Sequence, residues 1–566
     1  MALVVDRRLV VDEAHQRAKR IVEALQDPDS TSGRGSAVVR EVARRLSRLA
    51  GKDAAPLVAA RLRGGAPLEN DWARTPTQPT ILTSTVDQVG SRLLFRGYGV
   101  SDRMKPVHAG LLGSDSLILL DEAHLSEPFR QTLQAVRDIG GARIKTALLT
   151  ATPGVEGARH LALTERDRAH PVLARRIGAR KPATLRKVAN ADAFAEAALR
   201  MMRDFHAAGV EAPAVAVVVN RIAIARAVFD AIKEADSSRA QRMIGRSRDV
   251  DRRRIDASLA PFRTGASREG VEPLFVVATQ CLEVGADLDF DGFVSQAASL
   301  DALRQRFGRL NRSGERTHCE GAVLALRDDL ASRSDDPVYG DRIRATWEAL
   351  QDITADGVVD FGSDALERTL QASGAEAAAL SAPKADAPVV MPAYLDLWSH
   401  TSPVPAADPE VDLFLHGAEH SAPEVTLVWR GDIDAGDLQG EREDVLTTRL
   451  TLMRRARPRR WRSPSGPRGH GWLGAAGAAM SPTHRPGRSS RARIDVAVAC
   501  SAGPGPMPPA PGSLTPRTSG RATWWWCRRS TAAATTMAGR RRRRRVSGTS
   551  RTRRQDRTED AATRFG

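Results

Sequence analysis

The tetrapeptide DEAH occurs twice in this chain, at Asp12–His15 and at Asp121–His124. Adjacent carboxylates can hold a magnesium ion and polarise a water molecule, which is the chemistry that cleaves phosphate bonds. Either copy is therefore a candidate catalytic element, and the flanking residues must distinguish the two.

The first copy lies within a helical pattern. Apolar residues recur on one face of the predicted helix: Ala14, Ala18, Ile21, Val22 and Leu25. Asp12 and Glu13 then belong to the first turns, where acidic side chains interact favourably with the helix dipole. We interpret this copy as structural.

The second copy follows the continuous apolar run Leu117–Leu120, which is typical of a central parallel strand and places Asp121 and Glu122 at its carboxyl end. The segment LLTATP follows about one helix later, so Thr150 and Thr152 lie in the loop after the next strand. We predict that Asp121 orients Mg²⁺ against the β- and γ-phosphates of a nucleotide and that Glu122 polarises the attacking water. We expect His124 to connect this site to neighbouring loops.

Two segments of the second half complement this site. The first, TQCLEVGADLDFD, begins at Thr279 and forms an acidic loop that contains Gly285 and Asp287. The second, QRFGRLNR, begins at Gln305 and spaces three arginines evenly, which predicts one helical face: Arg306, Arg309 and Arg312. Such arginines can stabilise charge on a departing phosphate, whereas the alternative is a solvated basic face.

Alternating strands and helices position these residues. Residues 1–175 and 176–340 each predict a parallel α/β sheet with active residues at the carboxyl ends of its strands, and hence a cleft between two lobes. Residues 341–453 are less regular, with one helix near 341–352. Residues 454–566 are rich in Arg, Pro and Gly without periodicity, which predicts a disordered tail; the alternative is a nucleic-acid-binding arm.

The charge of the chain is concentrated in that tail. Residues 454–566 contain 26 Arg, no Lys and four acidic residues, a formal charge of +22, which leaves −5 for residues 1–453 of the total of +17. The net positive charge of the chain therefore does not indicate that residues 1–453 bind nucleic acid. The apolar runs are too short for a membrane span, and the four widely spaced cysteines suit a reducing cytoplasm.

Together these segments resemble the core of a DEAH-box superfamily 2 helicase, with two tandem RecA-like lobes, an ATP site and Mg²⁺. More narrowly, ILTSTVDQVGSRLLFRGYGVSDRMKPVHAGLLGSDSLILLDEAHL and QCLEVGADLDFDGFVSQAASLDALRQRFGRLNR resemble the CRISPR-associated helicase–nuclease of type I interference systems. The resemblance covers about residues 1–450. It implies a motor that is recruited by a guide-RNA surveillance complex and moves along single-stranded DNA by hydrolysing ATP. We expect a monomer.

The resemblance also implies roles for individual residues. Thr150 and Thr152 match the loop that couples hydrolysis to movement, and Gly285, Asp287, Gln305 and Arg306 belong to nucleotide-binding motifs. Arg309 and Arg312 match the finger arginines. Asp6 lies in the first strand-contacting motif, and further residues match nucleic-acid contacts: Arg7, Thr85, Asp87, Gln88, Asn220 and Thr279.

One motif of such helicases is missing from the sequence. Only Lys19, Lys52 and Lys105 precede the second DEAH, and none belongs to a G-x-x-x-x-G-K-[ST] phosphate loop. We expect an N-terminally truncated copy with ATP turnover near background, and no nuclease centre can be assigned. Two alternatives remain open: another superfamily 2 helicase acting on RNA or DNA, and a non-enzymatic nucleic-acid-binding remnant.

Overall fold

The structure is a computed structural model of the 566-residue chain. It describes residues 1–30, 35–51, 53–64, 71–140, 143–150, 161–236, 239–245, 247, 249–283, 285, 287–331 and 336–418, together with strands at 424–429, 460–464, 496–499 and 526–527. Within these residues, no helix is long and apolar enough to cross a membrane.

The first sheet consists of five parallel strands: β1 (Ala2–Val5), β2 (Val58–Leu62), β3 (Thr80–Thr85), β4 (Leu117–Asp121) and β5 (Lys145–Leu149). Their order is β2-β3-β1-β4-β5. Val5 pairs with Thr85, and Asp121 pairs with Leu149. Because all the strands run in one direction, the residues that follow β1, β4 and β5 meet at one edge of the sheet. The strands predicted at Leu117–Leu120 and before the loop of Thr150 are confirmed as β4 and β5.

In the described part of the chain, five helices accompany this sheet: α1 (Arg8–Gln26), α2 (Ser36–Ala50), α3 (Val86–Leu93), α4 (Lys105–Gly113) and α5 (Glu127–Gly140). The first DEAH lies in α1, as predicted. Asp12, however, is beyond the first turn and bonds to Arg61 at 2.9 Å and Arg63 at 2.7 Å rather than serving the helix dipole. Ile21, expected on the buried face, is 44% exposed.

A second sheet has seven strands: β6 (Pro182–Val188), β7 (Ala214–Val218), β8 (Arg239–Met243), β9 (Leu274–Ala278), β10 (Gly292–Gln296), β11 (Glu320–Leu326) and β12 (Val358–Asp360). Their order is β12-β6-β11-β10-β7-β9-β8, and β12 runs antiparallel to β6 while the other pairs are parallel. The central strands β7, β9 and β10 are buried along their whole length. Such strands read as continuous apolar runs, which is why the sequence predicts them.

Within the described residues, nine helices accompany the second sheet: α6 (Glu165–Arg168), α7 (Pro171–Ile177), α8 (Asp192–Ala207), α9 (Ile222–Ala235), α10 (Asp249–Leu259), α11 (Leu300–Phe307), α12 (Arg342–Asp352), α13 (Ser363–Ser373) and α14 (Ala377–Leu380). The predicted α/β class, with two RecA-like parallel sheets, is confirmed; the antiparallel edge strand β12 is the one departure. Single-turn 3₁₀ helices connect several elements: Asp71–Ala73, Ala123–Leu125, Ala260–Phe262, Gln280–Leu282 and Asp328–Leu330.

Residues 385–417, which we call the return segment, leave the second sheet and pack on the first. They include two helices, α15 (Pro392–Ser399) and α16 (Asp412–His416). Trp398 is fully buried in the apolar core of the first sheet. Arg96 donates to the Trp398 carbonyl at 2.6 Å and pairs with Asp408 at 2.8 Å. The return segment therefore ties residues that follow the second sheet to the first lobe.

A third sheet has the order β14-β13-β15-β16 and joins four short strands: β13 (Glu424–Trp429), β14 (Arg460–Pro464), β15 (Val496–Ala499) and β16 (Trp526–Cys527). Three of these strands belong to the segment 454–566 that was predicted to be disordered. Apart from them, that prediction concerns residues outside the described part of the chain.

Candidate active site in the cleft between the two sheets

A cleft of about 170 Å³ opens between the two sheets at the carboxyl ends of their strands. Residues from both sheets line it: Val5, Asp6, Val10, Asp121, Glu122 and Leu125 from the first, and Gly285, Asp287, Arg309 and Arg312 from the second. The cleft brings together acidic and basic residues that are far apart in the sequence.

The acidic wall is formed by Asp121 and Glu122 at the end of β4. Glu122 has a left-handed backbone, with φ of +49°, which is uncommon for a residue with a side chain and marks a constrained turn. The Glu122 N–H donates to Asp121 Oδ1 at 3.0 Å. Burial raises the pKa of both carboxyls; Asp121 raises that of Glu122 further, while Arg309 and Arg312 oppose the rise. These acids are thus held where a cation or a proton would be stabilised.

The opposite wall carries Arg309 and Arg312, but not on a helical face. Helix α11 ends at Phe307, and Gly308 caps it, so the prediction of three arginines on one face of a helix is wrong. The carboxylate of buried Asp289 instead accepts from the Arg312 N–H at 2.7 Å, and Arg309 donates to the Glu283 carbonyl at 2.9 Å. Backbone contacts therefore aim these two guanidinium groups.

Burial and the neighbouring Arg312 lower the pKa of Arg309 to about 10, so it remains charged at neutral pH. Its Nε is buried and has no hydrogen-bond partner among the described residues. An unpaired buried donor of a cation, facing a cleft, suits a phosphate oxygen.

Gly285 and Asp287 line the cleft beside Arg309 and Arg312. Burial favours a higher pKa for Asp287, but a hydrogen bond from Thr264 and the charge of Arg312 hold it below its usual value. Arg312 Nε lies 3.0 Å from the Asp287 carboxylate. Gly285 has φ of +83° and lies against Val10 of α1, so a side chain there would meet the other lobe.

His124 links the two sheets above the cleft. Its Nε2 lies 2.6 Å from Nε2 of Gln305, and its Nδ1 lies 3.3 Å from Oγ1 of Thr150. Burial lowers the pKa of His124, which favours the neutral ring. These contacts join His124 to α11 and to the loop after β5, and its predicted role in connecting the site to the loops stays a prediction. Thr152 lies outside the described residues.

Arg306 does not line the cleft. Its side chain is fully buried, and its guanidinium bonds to Glu283, Ser295, Gln296, Asn220 and Tyr339 at 2.8 to 3.1 Å. A nucleotide cannot reach it in this arrangement. Its role in nucleotide binding stays a prediction.

The residues predicted to contact nucleic acid are not gathered on one open surface. Four of them are less than 9% exposed: Thr85, Gln88, Asn220 and Thr279. Gln88 Oε1 accepts from Arg92, and Asp87 pairs with His416 of the return segment at 2.8 Å. Arg7 lies beside Asp6, 3.6 Å from its carboxylate. Their roles stay predictions.

The donor set of the cleft fits the groups that the sequence predicts. Carboxylate oxygens such as those of Asp121 and Glu122 are preferred ligands of Mg²⁺. Arg309 and Arg312 offer the planar donors that match phosphate. Both sets line one cavity, so a magnesium nucleotide is chemically compatible with it.

The sequence analysis did not assign two residues, Asp6 and Glu283, to this site. Asp6 directly follows β1, much as Asp121 ends β4 after the apolar run Leu117–Leu120, and it lines the cleft, whereas it was grouped with the nucleic-acid contacts. The same signal, an acid directly after an apolar strand, is available for both. Glu283 was not singled out, because the sequence cannot tell that its carbonyl holds Arg309 while its carboxylate neutralises Arg306.

Comparison with known families bears on the basic wall. Residues 211–315 match the family model for the C-terminal domain of the CRISPR-associated nuclease/helicase Cas3. The matched segment lies in the second sheet and its helices. It contains β7, β9, β10 and α11 as well as Glu283, Arg309 and Arg312. The resemblance to the CRISPR-associated helicase family is thereby confirmed. No curated protein matches the chain.

Solved structures of Cas3 are similar to this chain at low sequence identity. T. fusca Cas3 with AMPPNP is 16% identical, with a TM-score of 0.48, and the match covers 82% of this chain and 58% of that one. A CRISPR RNA-guided surveillance complex before nicking is 17% identical, with a TM-score of 0.42 and coverage of 77% and 60%. The DEAD-box helicase Mss116 with single-stranded RNA and UDP-BeF is 12% identical, with a TM-score of 0.37 and coverage of 58% and 60%. The chain spans 58% of the length of the Cas3 structure with AMPPNP.

Proposed function

We propose that this chain is the motor part of a Cas3-type helicase, which uses magnesium ATP to move along single-stranded DNA at a target bound by a guide-RNA surveillance complex. One observation carries the proposal: Asp121 and Glu122 of the first sheet line the same cleft as Arg309 and Arg312 of the second. The family match over residues 211–315 supports the same function.

In this mechanism Asp121 and Glu122 hold Mg²⁺, which neutralises charge on the phosphate oxygens when bound. Glu122 orients the attacking water and accepts its proton, a task for which a raised carboxyl pKa is suited. Arg309 and Arg312 stabilise negative charge on the departing phosphate from the other lobe. Because the two halves of the site belong to different lobes, hydrolysis requires the lobes to be closed.

We propose further that residues 1–175 and 176–340 are the two lobes and that residues 341–453 are an accessory region. Thr150 couples the site to lobe movement, and nucleic acid lies across the carboxyl ends of the strands, near Arg7, Asp87 and Asn220. Short polar side chains and backbone amides bind phosphates there without reading bases.

The sequence contains no Gly-rich phosphate loop. Such a loop supplies backbone donors and a positive charge, and loss of even one such stabilising donor costs about 3–4 kcal/mol. We therefore propose that the chain alone turns over ATP near background, and that supplying a Gly-rich loop upstream of β1 raises the rate.

The test compares ATP hydrolysis by the chain alone and by the chain joined to a Gly-rich loop segment. Each protein is measured without nucleic acid, with single-stranded DNA and with RNA. We expect DNA-stimulated hydrolysis in the joined chain only, abolished by Glu122→Gln. Stimulation by RNA alone favours another superfamily 2 helicase. DNA binding with steep salt dependence but without hydrolysis in the joined chain favours a non-enzymatic binding protein.

A further inference from the structure

The hydroxyl of Tyr339 lies between two charged groups deep in the second lobe. It donates to Glu283 Oε1 at 3.0 Å and accepts from Arg306 at 3.0 Å. Tyr339 is 3% exposed, and it belongs to the loop before α12, outside every motif singled out in the sequence. Asp336 fixes that loop by accepting from the backbone N–H groups of Val338 and Tyr339 at 2.9 Å.

The Arg306–Glu283 pair that Tyr339 contacts is buried, with 0% and 9% of the two side chains exposed. A buried ion pair is stable only when its remaining donors and acceptors are also satisfied. Arg306 meets this condition by also bonding to Asn220 after β7 and to Ser295 in β10. The Glu283 carboxylate has fewer partners. Among the described residues, Arg306 and Tyr339 are the side chains that donate to it. The Tyr339 hydroxyl is therefore one of two side-chain groups that hold the Glu283 carboxylate in this part of the chain.

Glu283 in turn holds a residue of the cleft. Its backbone carbonyl accepts from Arg309, whose Nε has no partner among the described residues. Nothing else on the Arg309 side chain is tied by a hydrogen bond within that part of the chain. The path from Tyr339 to the cleft thus has two steps: the hydroxyl fixes Glu283, and Glu283 fixes Arg309.

We propose that Tyr339 is a positioning residue that sets the direction of the Arg309 guanidinium through Glu283. The part of this inference that concerns nucleotide binding rests on the proposed function. It predicts that removing one oxygen atom, outside the lining of the cleft, weakens recognition of a γ-phosphate without removing any group that lines the cleft.

The test uses the full chain and the substitution Tyr339→Phe, with Tyr394→Phe as the control. Tyr394 stacks on Trp398 within the return segment, against the core of the first sheet, and makes no hydroxyl hydrogen bond among the described residues. Hydrogen exchange, followed by mass spectrometry, should become about tenfold faster in peptides covering 305–312 in Tyr339→Phe. The central strand Leu274–Ala278 should be unaffected, and Tyr394→Phe should leave both segments unchanged.

A second measurement reads the cleft directly, by titration with a fluorescent ATP analogue and the matching ADP analogue. We expect Tyr339→Phe to lower the affinity for the ATP analogue about fivefold and to leave the affinity for the ADP analogue nearly unchanged. In an Arg309→Ala background the substitution should have no further effect, because the two changes act on one contact.

The outcomes separate the inference from the proposed function. Exchange that is unchanged, or faster throughout the second sheet, overturns the positioning role, as does an additive double variant. If the unsubstituted chain binds neither analogue, the titration is made in the chain joined to the Gly-rich loop segment. Failure to bind there overturns the proposed function, whereas the exchange pattern alone decides whether Tyr339 positions the Arg309 segment.

Discussion

The side-chain amide of Gln305 lies 2.6 Å from Nε2 of His124, and this contact joins the second sheet to the first above the cleft. Burial lowers the pKa of His124, so its ring is neutral near pH 7 and Nε2 carries the lone pair that accepts from Gln305. The Nδ1 hydrogen is then directed to Thr150 at 3.3 Å. One imidazole thus bridges the loop after β5 and the helix α11.

This bridge predicts an energetic coupling between His124 and Gln305. A neutral hydrogen bond contributes about 0.5–1.5 kcal/mol net, and the pair should show a coupling of that size in a double-mutant cycle of His124→Ala and Gln305→Ala measured by urea unfolding. Gln134→Ala serves as the control partner, because Gln134 bonds to Asp138 within α5. A coupling near zero for the 124–305 pair would count against the bridge.

Arg309 should matter for hydrolysis far more than for folding. In the chain joined to a Gly-rich loop, Arg309→Ala should lower DNA-stimulated ATP turnover by about 10³-fold or more, as expected for an arginine that stabilises transferring phosphate. Arg304→Ala is the matched control, since Arg304 lies on α11 but pairs with Glu367 at 2.6 Å, outside the cleft. Equal rates for the two variants would show that Arg309 does not serve the reaction.

The sequence was informative where structure is set locally. The apolar run Leu117–Leu120 predicts β4 and therefore the position of Asp121, because a buried parallel strand needs apolar residues on both faces. The end of α11 at Phe307 was missed, because three evenly spaced arginines mimic a helical face. The return segment was missed for another reason: Arg96 and Asp408 meet only through the tertiary fold. Local patterns carry no information about such distant pairs.

Docking of the return segment should depend on pH through His416. Its Nε2 lies 2.8 Å from Asp87 Oδ1 and 3.9 Å from Asp412. The hydrogen bond to Asp87 raises the pKa of His416 despite partial burial, and Asp412 and Asp6 add to the rise. A raised folded-state pKa means that the contribution is fully present below the unfolded value of about 6.5 and is lost as pH rises through the folded value.

The measurement is urea unfolding of the chain and of Asp87→Asn between pH 5.5 and 9. The stability difference between the two should be largest near pH 6 and should shrink toward pH 9. Because both side chains are more than a third exposed, water and salt screen the pair, and added salt should reduce the difference. In a His416→Gln background, Asp87→Asn should have an effect that no longer varies with pH; a variation that persists there would assign the titration to another group.

Gly285 should be the least replaceable glycine of the cleft. Its φ of +83° disfavours any side chain, and a Cβ at this position would collide with Val10 of the other lobe. Gly265 separates these two effects, because its φ is +77° with nothing near the Cβ position. Gly265→Ala should therefore cost about 1–2 kcal/mol from backbone strain alone, whereas Gly285→Ala should cost about 1–3 kcal/mol more from overpacking.

Urea unfolding of the double variant Val10→Ala, Gly285→Ala separates the overpacking effect from the backbone strain. Shortening Val10 removes the Cγ2 atom that the new Cβ would meet. The double variant should therefore regain the part of the free energy of unfolding that overpacking removes, while the loss from backbone strain remains. The residual cost should then match that of Gly265→Ala. If Gly285→Ala and Gly265→Ala are equally destabilising and Val10→Ala gives no recovery, the two lobes do not pack through Gly285, and the cleft is more open than its lining residues require.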